Sequence, residues 1–244
     1  MVIAAGICAL ILAAVHFLVD RLKFSNIPRD KWLSAAGGVS VAYVFVHILP
    51  ELGEWQETFA ESFSSDLLSF LKHHLYLIAL LGLVFFYGLE RTAIISRQSE
   101  RETEEKEFSP NIKIFWIHIF SFAVYNFLIG YLLVHREDNT LNSLIIFAIA
   151  MAFHFLVNDF GLVDHYEKNY QKKGRWLIAI AIILGWAVGA LTEIGEHYIG
   201  IMFAFIAGGV IMNVLKEELP ENRQSKFLYL ILGVIVYSGL LLII

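Results

Sequence analysis

The sequence predicts an all-α integral membrane protein with eight membrane-spanning helices. Of its 244 residues, 58% are hydrophobic and only 17% are charged, and the mean hydropathy is +0.65. A soluble domain is about 45–50% apolar and about 25% charged, and one of this size could not bury so much apolar surface. A spanning helix needs about 20 mostly apolar residues. The stretches that qualify are Val2–Val19, Trp32–Leu52, His74–Ile95, Ile114–Val134, Leu141–Val163, Trp176–Ile194, Tyr198–Leu215 and Phe227–Ile244.

The basic residues support this count and predict an orientation. Sixteen of the 18 Lys and Arg residues fall in the connections after the first, third, fifth and seventh stretches or, for Arg91, in the last turns of the third stretch, and only Lys72 and Arg136 fall in the other connections. Because an excess of Lys and Arg marks cytoplasmic connections, both termini are expected on the extracytoplasmic side. The connections are short, so residues 1–244 are expected to form a single transmembrane domain with a charged cytoplasmic loop at 96–113.

Composition also excludes several classes of function. The single cysteine, Cys8, rules out an intramolecular disulfide and a CxxC metal cluster. A net charge of −5 argues against a nucleic-acid partner. The expected partner is the lipid bilayer, in the cell membrane, and the oligomeric state, including a homodimer, stays open.

Two segments resemble each other and predict an inverted repeat. Residues 36–39 read AGGV and are followed by Leu49-Pro50-Glu51, while residues 207–210 read AGGV and are followed by Leu219-Pro220-Glu221. In the expected orientation the two segments cross the membrane in opposite directions, so stretches 1–3 would be mirrored by stretches 6–8. Transporters built in this way bind their substrate between the repeats, near the midplane. Chance similarity between helices rich in small residues is the alternative, since small residues also serve helix packing.

The chain resembles the ZIP (Zrt/Irt-like) family of divalent-metal transporters. The motifs that carry the resemblance are AYVFVHILPEL at the end of the second stretch and AGGVIMNVLKEELPE in the seventh. Eight spans, outward termini and a charged inner loop fit as well. The resemblance implies a 3+2+3 arrangement, with the fourth and fifth helices enclosed by the two inverted units. It further implies movement of zinc, iron, manganese or cobalt toward the cytoplasm, without enzymatic activity and without a tightly bound cofactor.

The resemblance also implies a metal site on the fourth and fifth helices. The family pattern His-Asn-x-x-Asp/Glu-Gly aligns with residues 125–130, and the pattern His-Glu-x-Pro-His/Glu-Glu aligns with residues 154–159. The ligands so implied are Asn126, His154, Asn158 and Asp159.

Residue spacing is compatible with that site. His154, Asn158 and Asp159 are spaced i, i+4, i+5 and are expected to share a helix face. An acid within a span costs about 2.5–3.5 kcal/mol on insertion scales, so Asp159 is expected to face a polar interior or a partner. Asn126 can equally serve as an interhelical hydrogen-bond anchor, and His154 and Asp159 as a structural polar cluster.

At three positions a residue that cannot serve as the family's ligand replaces it, and the family's prolines are replaced by Leu128 and Val157. Tyr125, Ile129 and Phe155 stand where the family has ligands, which leaves at most one metal site. A second hypothesis is therefore a ZIP-fold protein that has lost transport and acts as a scaffold, sensor or partner subunit. A third, an intramembrane zinc hydrolase, is disfavoured because no pair of neighbouring spans offers three ligands and a general base.

Further His and acidic residues lie near the ends of the predicted spans. They are candidates for entry or exit of a cation, and each has interfacial solvation as its alternative. His16 and Asp20, at the inner end of the first stretch, are interpreted as interfacial neighbours. The candidates for entry or exit are His47, Glu51, Glu193, Glu196, His197, His118, Asp164 and His165.

Overall fold

The computed structural model of the protein describes residues 1–18, 29–62, 75–102, 112–136, 140–218 and 227–243, and these ranges are almost entirely helical. A π turn at Val44–Ile48 joins the second helix to the third, and another at Tyr170–Gly174 joins the sixth to the seventh. The helices are α1 (Val2–Val15), α2 (Arg29–Tyr43), α3 (Leu49–Ser62), α4 (Leu75–Glu102), α5 (Ile112–Leu132), α6 (Leu141–Asn169), α7 (Arg175–Leu191), α8 (Glu196–Glu218) and α9 (Phe227–Ile243).

Within the described ranges, six helical segments are long and apolar enough to cross a membrane. Two shorter apolar helices, Val2–Val15 and Phe227–Leu241, stand at either end of the chain. The protein is therefore an all-helical, multi-pass membrane protein, as the composition predicts. The six segments are Ser34–Glu57, Leu75–Ile95, Ile112–Leu132, Leu141–Val163, Tyr170–Leu191 and Glu196–Leu215.

Several helices continue beyond the apolar stretches that the sequence marks. The second predicted stretch ends at Leu52, but α3 continues to Ser62. The fifth ends at Val163, but α6 continues to Asn169. α4 extends to Glu102 and occupies the first part of the predicted loop at 96–113, of which residues 103–111 lie outside the described part. Backbone hydrogen bonding does not stop where apolar side chains stop, and Glu and Arg are good helix formers.

Three helix pairs pack most extensively: α5 with α7, α2 with α9, and α4 with α8. The two helices of each pair are parallel, because residue numbers at the contacts rise in the same direction along both helices. In the α2–α9 pair, for example, Lys31 contacts Tyr229 and, further along, Tyr43 contacts Tyr237. In each pair a glycine on either helix faces the other backbone, and a Cβ there would collide with a main-chain carbonyl. These glycines are Gly130 and Gly185, Gly38 and Gly233, and Gly82 and Gly208.

The remaining contacts place α6 against α1 and α2. α6 is antiparallel to α5, since Tyr125 contacts His154 while His118 contacts Tyr166. α1 lies along α7, with Phe17 against Trp176 at one end. The inward side chains of α5 and α6 are thereby covered by neighbouring helices rather than by lipid, which is the environment that polar groups within a span require.

Candidate functional site

Polar side chains of α5, α6 and α8 form a first buried group, the His154 cluster (Tyr125, His154, Asn158 and Asn213). The Nε2 atom of His154 lies 3.0 Å from the Tyr125 hydroxyl and 3.0 Å from the Asn158 amide nitrogen. Because an amide nitrogen only donates, Nε2 accepts both hydrogen bonds and carries no hydrogen. The Asn213 amide donates in turn to the Asn158 carbonyl oxygen.

A second buried group, the Asp159 cluster, joins α1, α5 and α6 (His16, Asn126, Asp159 and Tyr170). The Asp159 carboxylate oxygens lie 2.8 Å from His16 Nδ1 and 2.5 Å from the Tyr170 hydroxyl. The other ring nitrogen of His16 lies 3.2 Å from the Asn126 side-chain oxygen. His16 and Asp159 are only 2% and 1% exposed, so this pair is withdrawn from lipid and water alike.

The Phe155 side chain lies between the two clusters. Its ring stacks on the His16 ring at a centroid distance of 4.8 Å and lies 6.2 Å from the His154 ring. Phe155 is 1% exposed. An apolar ring therefore fills the space in which a carboxylate could have linked the two groups.

The four residues expected to bind metal do not converge on one point. His154 and Asn158 lie together, as their i, i+4 spacing predicts, but Asp159 turns toward α1. Consecutive residues of an α-helix point about 100° apart, so Asn158 and Asp159 reach different neighbours. Asn126 and Asp159 are connected through His16, which lies within hydrogen-bond distance of both. The described residues contain no group of three or more His, Cys, Asp or Glu side chains that could hold a metal ion.

His16 requires a correction, because the sequence interpretation placed it at the membrane interface. It is the C-cap residue of α1 and is fully covered by α5 and α6. Asp20, its expected neighbour, lies outside the described residues. Position along an apolar stretch indicates depth but not direction, and His16 faces inward.

A narrow crevice continues from the His154 cluster between α4, α5, α6 and α8. It has room for about one water molecule. Its polar lining is Glu90, His118, Asn158 and Asn213. Beside it, His165 Nε2 lies 2.9 Å from the Glu90 carboxylate. We call this feature the Glu90 crevice.

His118 and His165, two of the predicted exit residues, thus lie at the Glu90 crevice. His118 is buried and its Nδ1 lies 2.8 Å from the Tyr166 hydroxyl. Asp164 belongs to α6, but its side chain is outside the described part. Glu90 and Asn213 were missed by sequence reasoning. The available signal was a polar residue within an apolar stretch, which in a membrane protein usually has a polar partner.

The predicted entry residues fall at the other end of the helices. His47 lies in the first π turn, stacks on Tyr43, and its Nε2 is 3.4 Å from the Glu51 carboxylate. Glu193 and Glu196 are exposed, and His197 packs against the Tyr198 ring. The role of these residues in cation entry stays a prediction.

Comparison of the chain with protein-family models, curated proteins and solved structures gave no match.

Proposed function

We propose that this protein transports divalent metal cations across the membrane, toward the cytoplasm, in the manner of the ZIP family that it resembles. The observation that carries the proposal is the run of buried polar side chains from His154 through Asn158 and Asn213 into the Glu90 crevice. Intramembrane polar residues that line one another in this way typically mark an ion path. The proposed activity is transport rather than catalysis, with the metal as substrate and without a tightly bound cofactor.

The donor atoms along this run suit borderline and hard divalent cations. His154 Nε2 is the ring nitrogen that has a lone pair, and the Asn158 oxygen and the Glu90 carboxylate add oxygen donors. Imidazole combined with oxygen donors accommodates zinc, iron, manganese or cobalt. In the structure Tyr125 and the Asn158 amide nitrogen bind His154, Asn213 binds the Asn158 oxygen and His165 binds Glu90, so a cation must displace hydrogen bonds to bind. The arrangement corresponds to a closed path.

The helix pairing supports the transporter architecture. In the predicted inverted repeat, α1 corresponds to α7, α2 to α8 and α4 to α9. This correspondence relates the α2–α9 pair to the α8–α4 pair, and both pairs pack extensively. Both pairs are parallel and both have reciprocal glycine contacts. This is the pattern that two inverted three-helix units would produce, with α5 and α6 as the enclosed helices and eight spans in all. Extracytoplasmic termini, a cell-membrane location and a homodimer are parts of the same proposal.

A second candidate function is that of a ZIP-fold protein that no longer transports and acts as a scaffold, sensor or partner subunit. The Tyr125 hydroxyl occupies the metal-binding lone pair of His154, and the Phe155 ring separates the two polar clusters. Both residues stand where the family has ligands. A side chain that fills the ligand position and satisfies the remaining ligand is the expected end point of a lost site.

Metal uptake by the purified protein in sealed vesicles tests the transport proposal. We expect zinc, manganese, iron or cobalt to accumulate, and we expect the double variant His154→Ala/Asp159→Asn to lose most of that uptake. His135→Asn is a matched control, because the His135 ring binds carbonyl groups at the end of α7 and stacks on Tyr131, outside both clusters. Uptake by the double variant equal to that of the unmodified protein would show that the assigned path is wrong.

Calorimetric titration separates the two candidates. If none of the four metals binds, the second candidate is favoured. The triple variant Tyr125→His/Ile129→Asp/Phe155→Glu should then create binding, because it restores the family's ligand at each of the three positions. Absence of binding in the triple variant would contradict the idea of a lost metal site.

A further inference from the structure

The last turn of α1 enters the predicted metal site. His16 closes α1, and its ring is buried between α5 and α6. The site expected from the sequence involves only α5 and α6, so a contribution from α1 is not part of that expectation. His16 is the buried imidazole that touches Asp159, the acid to which the metal site is assigned.

Both ring nitrogens of His16 face oxygen atoms. Nδ1 faces the Asp159 carboxylate, and Nε2 faces the Asn126 side-chain oxygen. The orientation of the Asn126 amide is fixed, because its nitrogen donates to the Phe122 carbonyl at a distance of 2.9 Å. His16 therefore donates an N–H group to Asn126, and one proton lies between His16 and Asp159.

These two oxygen donors are the ones that a cation at this position would use. A divalent metal binds carboxylate oxygen at about 2.0–2.2 Å, with water or protein groups filling the remaining positions. The His16 ring lies within hydrogen-bond distance of both oxygens and is held by stacking on Phe155. Because the ring occupies the space between them, a metal ion and the His16 side chain cannot bind both oxygens together.

α1 packs less extensively on its neighbours than the three paired sets of helices pack on each other. α1 packs mainly on α6 and α7, and its outer face carries exposed apolar side chains. It takes no part in the three glycine-contact pairs. His16 is the polar side chain by which α1 is attached to the Asp159 cluster.

We propose that His16 acts as a tethered substitute for the cation. In the closed protein it occupies the oxygen donors of Asp159 and Asn126, and a divalent cation gains these donors only when the end of α1 withdraws. This inference rests on the proposed transport function and adds a control on it. The Tyr170 hydroxyl keeps one Asp159 oxygen occupied in either state, so the carboxylate is not left without a partner.

The inference is tested by the chemical accessibility of Asp159, which can be measured without transport. The full-length protein in detergent is treated with dicyclohexylcarbodiimide, an apolar reagent that modifies carboxyl groups, and Asp159 is followed by peptide mass spectrometry. We expect Asp159 to be modified at least about fivefold faster in His16→Ala than in the unmodified protein. His16→Gln, which keeps an N–H donor, should be intermediate. His135→Asn removes an imidazole that binds carbonyl groups at the end of α7, outside both clusters, and it should leave the rate of Asp159 modification unchanged.

Zinc or manganese is then added before the reagent. We expect either metal to slow modification of Asp159 in His16→Ala and to have little effect on the unmodified protein. If Asp159 is modified faster in His16→Ala but neither metal slows that modification, His16 shields Asp159 from the reagent and the proposed divalent-cation function is overturned. An unchanged rate of modification in both His16 variants would overturn the inference.

Two further outcomes would also overturn it. Equal metal protection of the unmodified protein and of His16→Ala would mean that the cation reaches Asp159 without displacing His16. Protection of the unmodified protein alone would identify His16 as a metal ligand and not as a competitor. Gel filtration and thermal unfolding identify variants that fail to fold, and His16→Gln then serves as the decisive variant, because it retains a hydrogen bond to the cluster.

Discussion

Replacement of Gly185 by alanine should destabilise the protein, although alanine is the better helix former. Gly185 lies in α7 against the backbone of α5, and an added Cβ would overlap the Phe127 carbonyl oxygen. The next two atoms, the Phe127 carbonyl carbon and Cα, would lie at 2.8 and 3.0 Å. Carbon atoms in contact normally stand about 3.5–4.0 Å apart, so the two helices must separate by roughly 0.7 Å or more.

The magnitude follows from two opposing effects. Forcing an extra methyl group into a packed interior typically costs about 1–3 kcal/mol. Alanine in place of glycine in a helix interior returns about 1 kcal/mol. Because the added Cβ meets main-chain atoms, which cannot rotate away, the cost lies in the upper part of that range, about 2–3 kcal/mol, and we expect a net loss of about 1–2 kcal/mol. For a chain of this size that corresponds to a fall of roughly 2–8 °C in the apparent Tm.

Gly88→Ala is the matched control, because Gly88 lies in α4 and a Cβ there meets nothing within 4 Å. Only the helix-propensity gain applies, so the apparent Tm should rise by about 2–4 °C. Tryptophan fluorescence during heating of the detergent-solubilised protein reports both variants. Equal or higher stability of Gly185→Ala would refute the close contact between α5 and α7 and the packing argument built on it.

Three further predictions concern the buried polar groups. Asp159→Ala leaves the buried His16 ring and the Tyr170 hydroxyl without their shared partner and should lower stability by about 1–3 kcal/mol for each group left unsatisfied, measured by thermal unfolding; Asp159→Asn should lose clearly less, and equal losses would argue against these contacts. Tyr125→Phe removes one of the two hydrogen-bond donors to His154 Nε2, a contact worth about 0.5–1.5 kcal/mol. The zinc affinity measured by calorimetry should therefore rise about twofold to tenfold, and an unchanged affinity would exclude metal binding at His154 Nε2. Glu90→Gln should slow vesicle uptake while leaving the zinc affinity of the His154 cluster unaltered, and unchanged uptake would remove the Glu90 crevice from the path.

The helical membrane class was predictable because it depends on composition averaged over long windows. The ends of the helices were less predictable. Hydropathy reports where a helix meets lipid, whereas the helix itself ends where its backbone hydrogen bonds end, and α6 continues six residues past Val163 to Asn169. A charged helical extension and a charged loop have the same composition, so the 96–113 segment was read as a loop throughout.

In the candidate site, contacts between residues close in sequence were predictable and contacts between distant residues were not. The contact between His154 and Asn158 follows from i, i+4 spacing. The contact between His16 and Asp159 spans 143 residues, and no local pattern encodes it. Glu90 and Asn213 each stand within an apolar stretch, which indicates that they need a polar partner, but the groups they meet at the Glu90 crevice are distant in sequence and no local pattern identifies them. Adjacent residues such as Asn158 and Asp159 were grouped by sequence, although the helix directs them to different partners.

The pairing of α2 with α9 has a consequence for how the chain assembles. The glycine surface of α2 around Gly38 is synthesised well before the α9 surface around Gly233 that covers it. During insertion the second helix therefore stays in the bilayer with its small-residue groove unfilled until α9 arrives. Docking of α9 on α2 is thus a step that can occur only after the intervening helices have been made. Removal of α9 should expose the second helix to membrane quality control, rather than merely trimming the edge of a finished bundle.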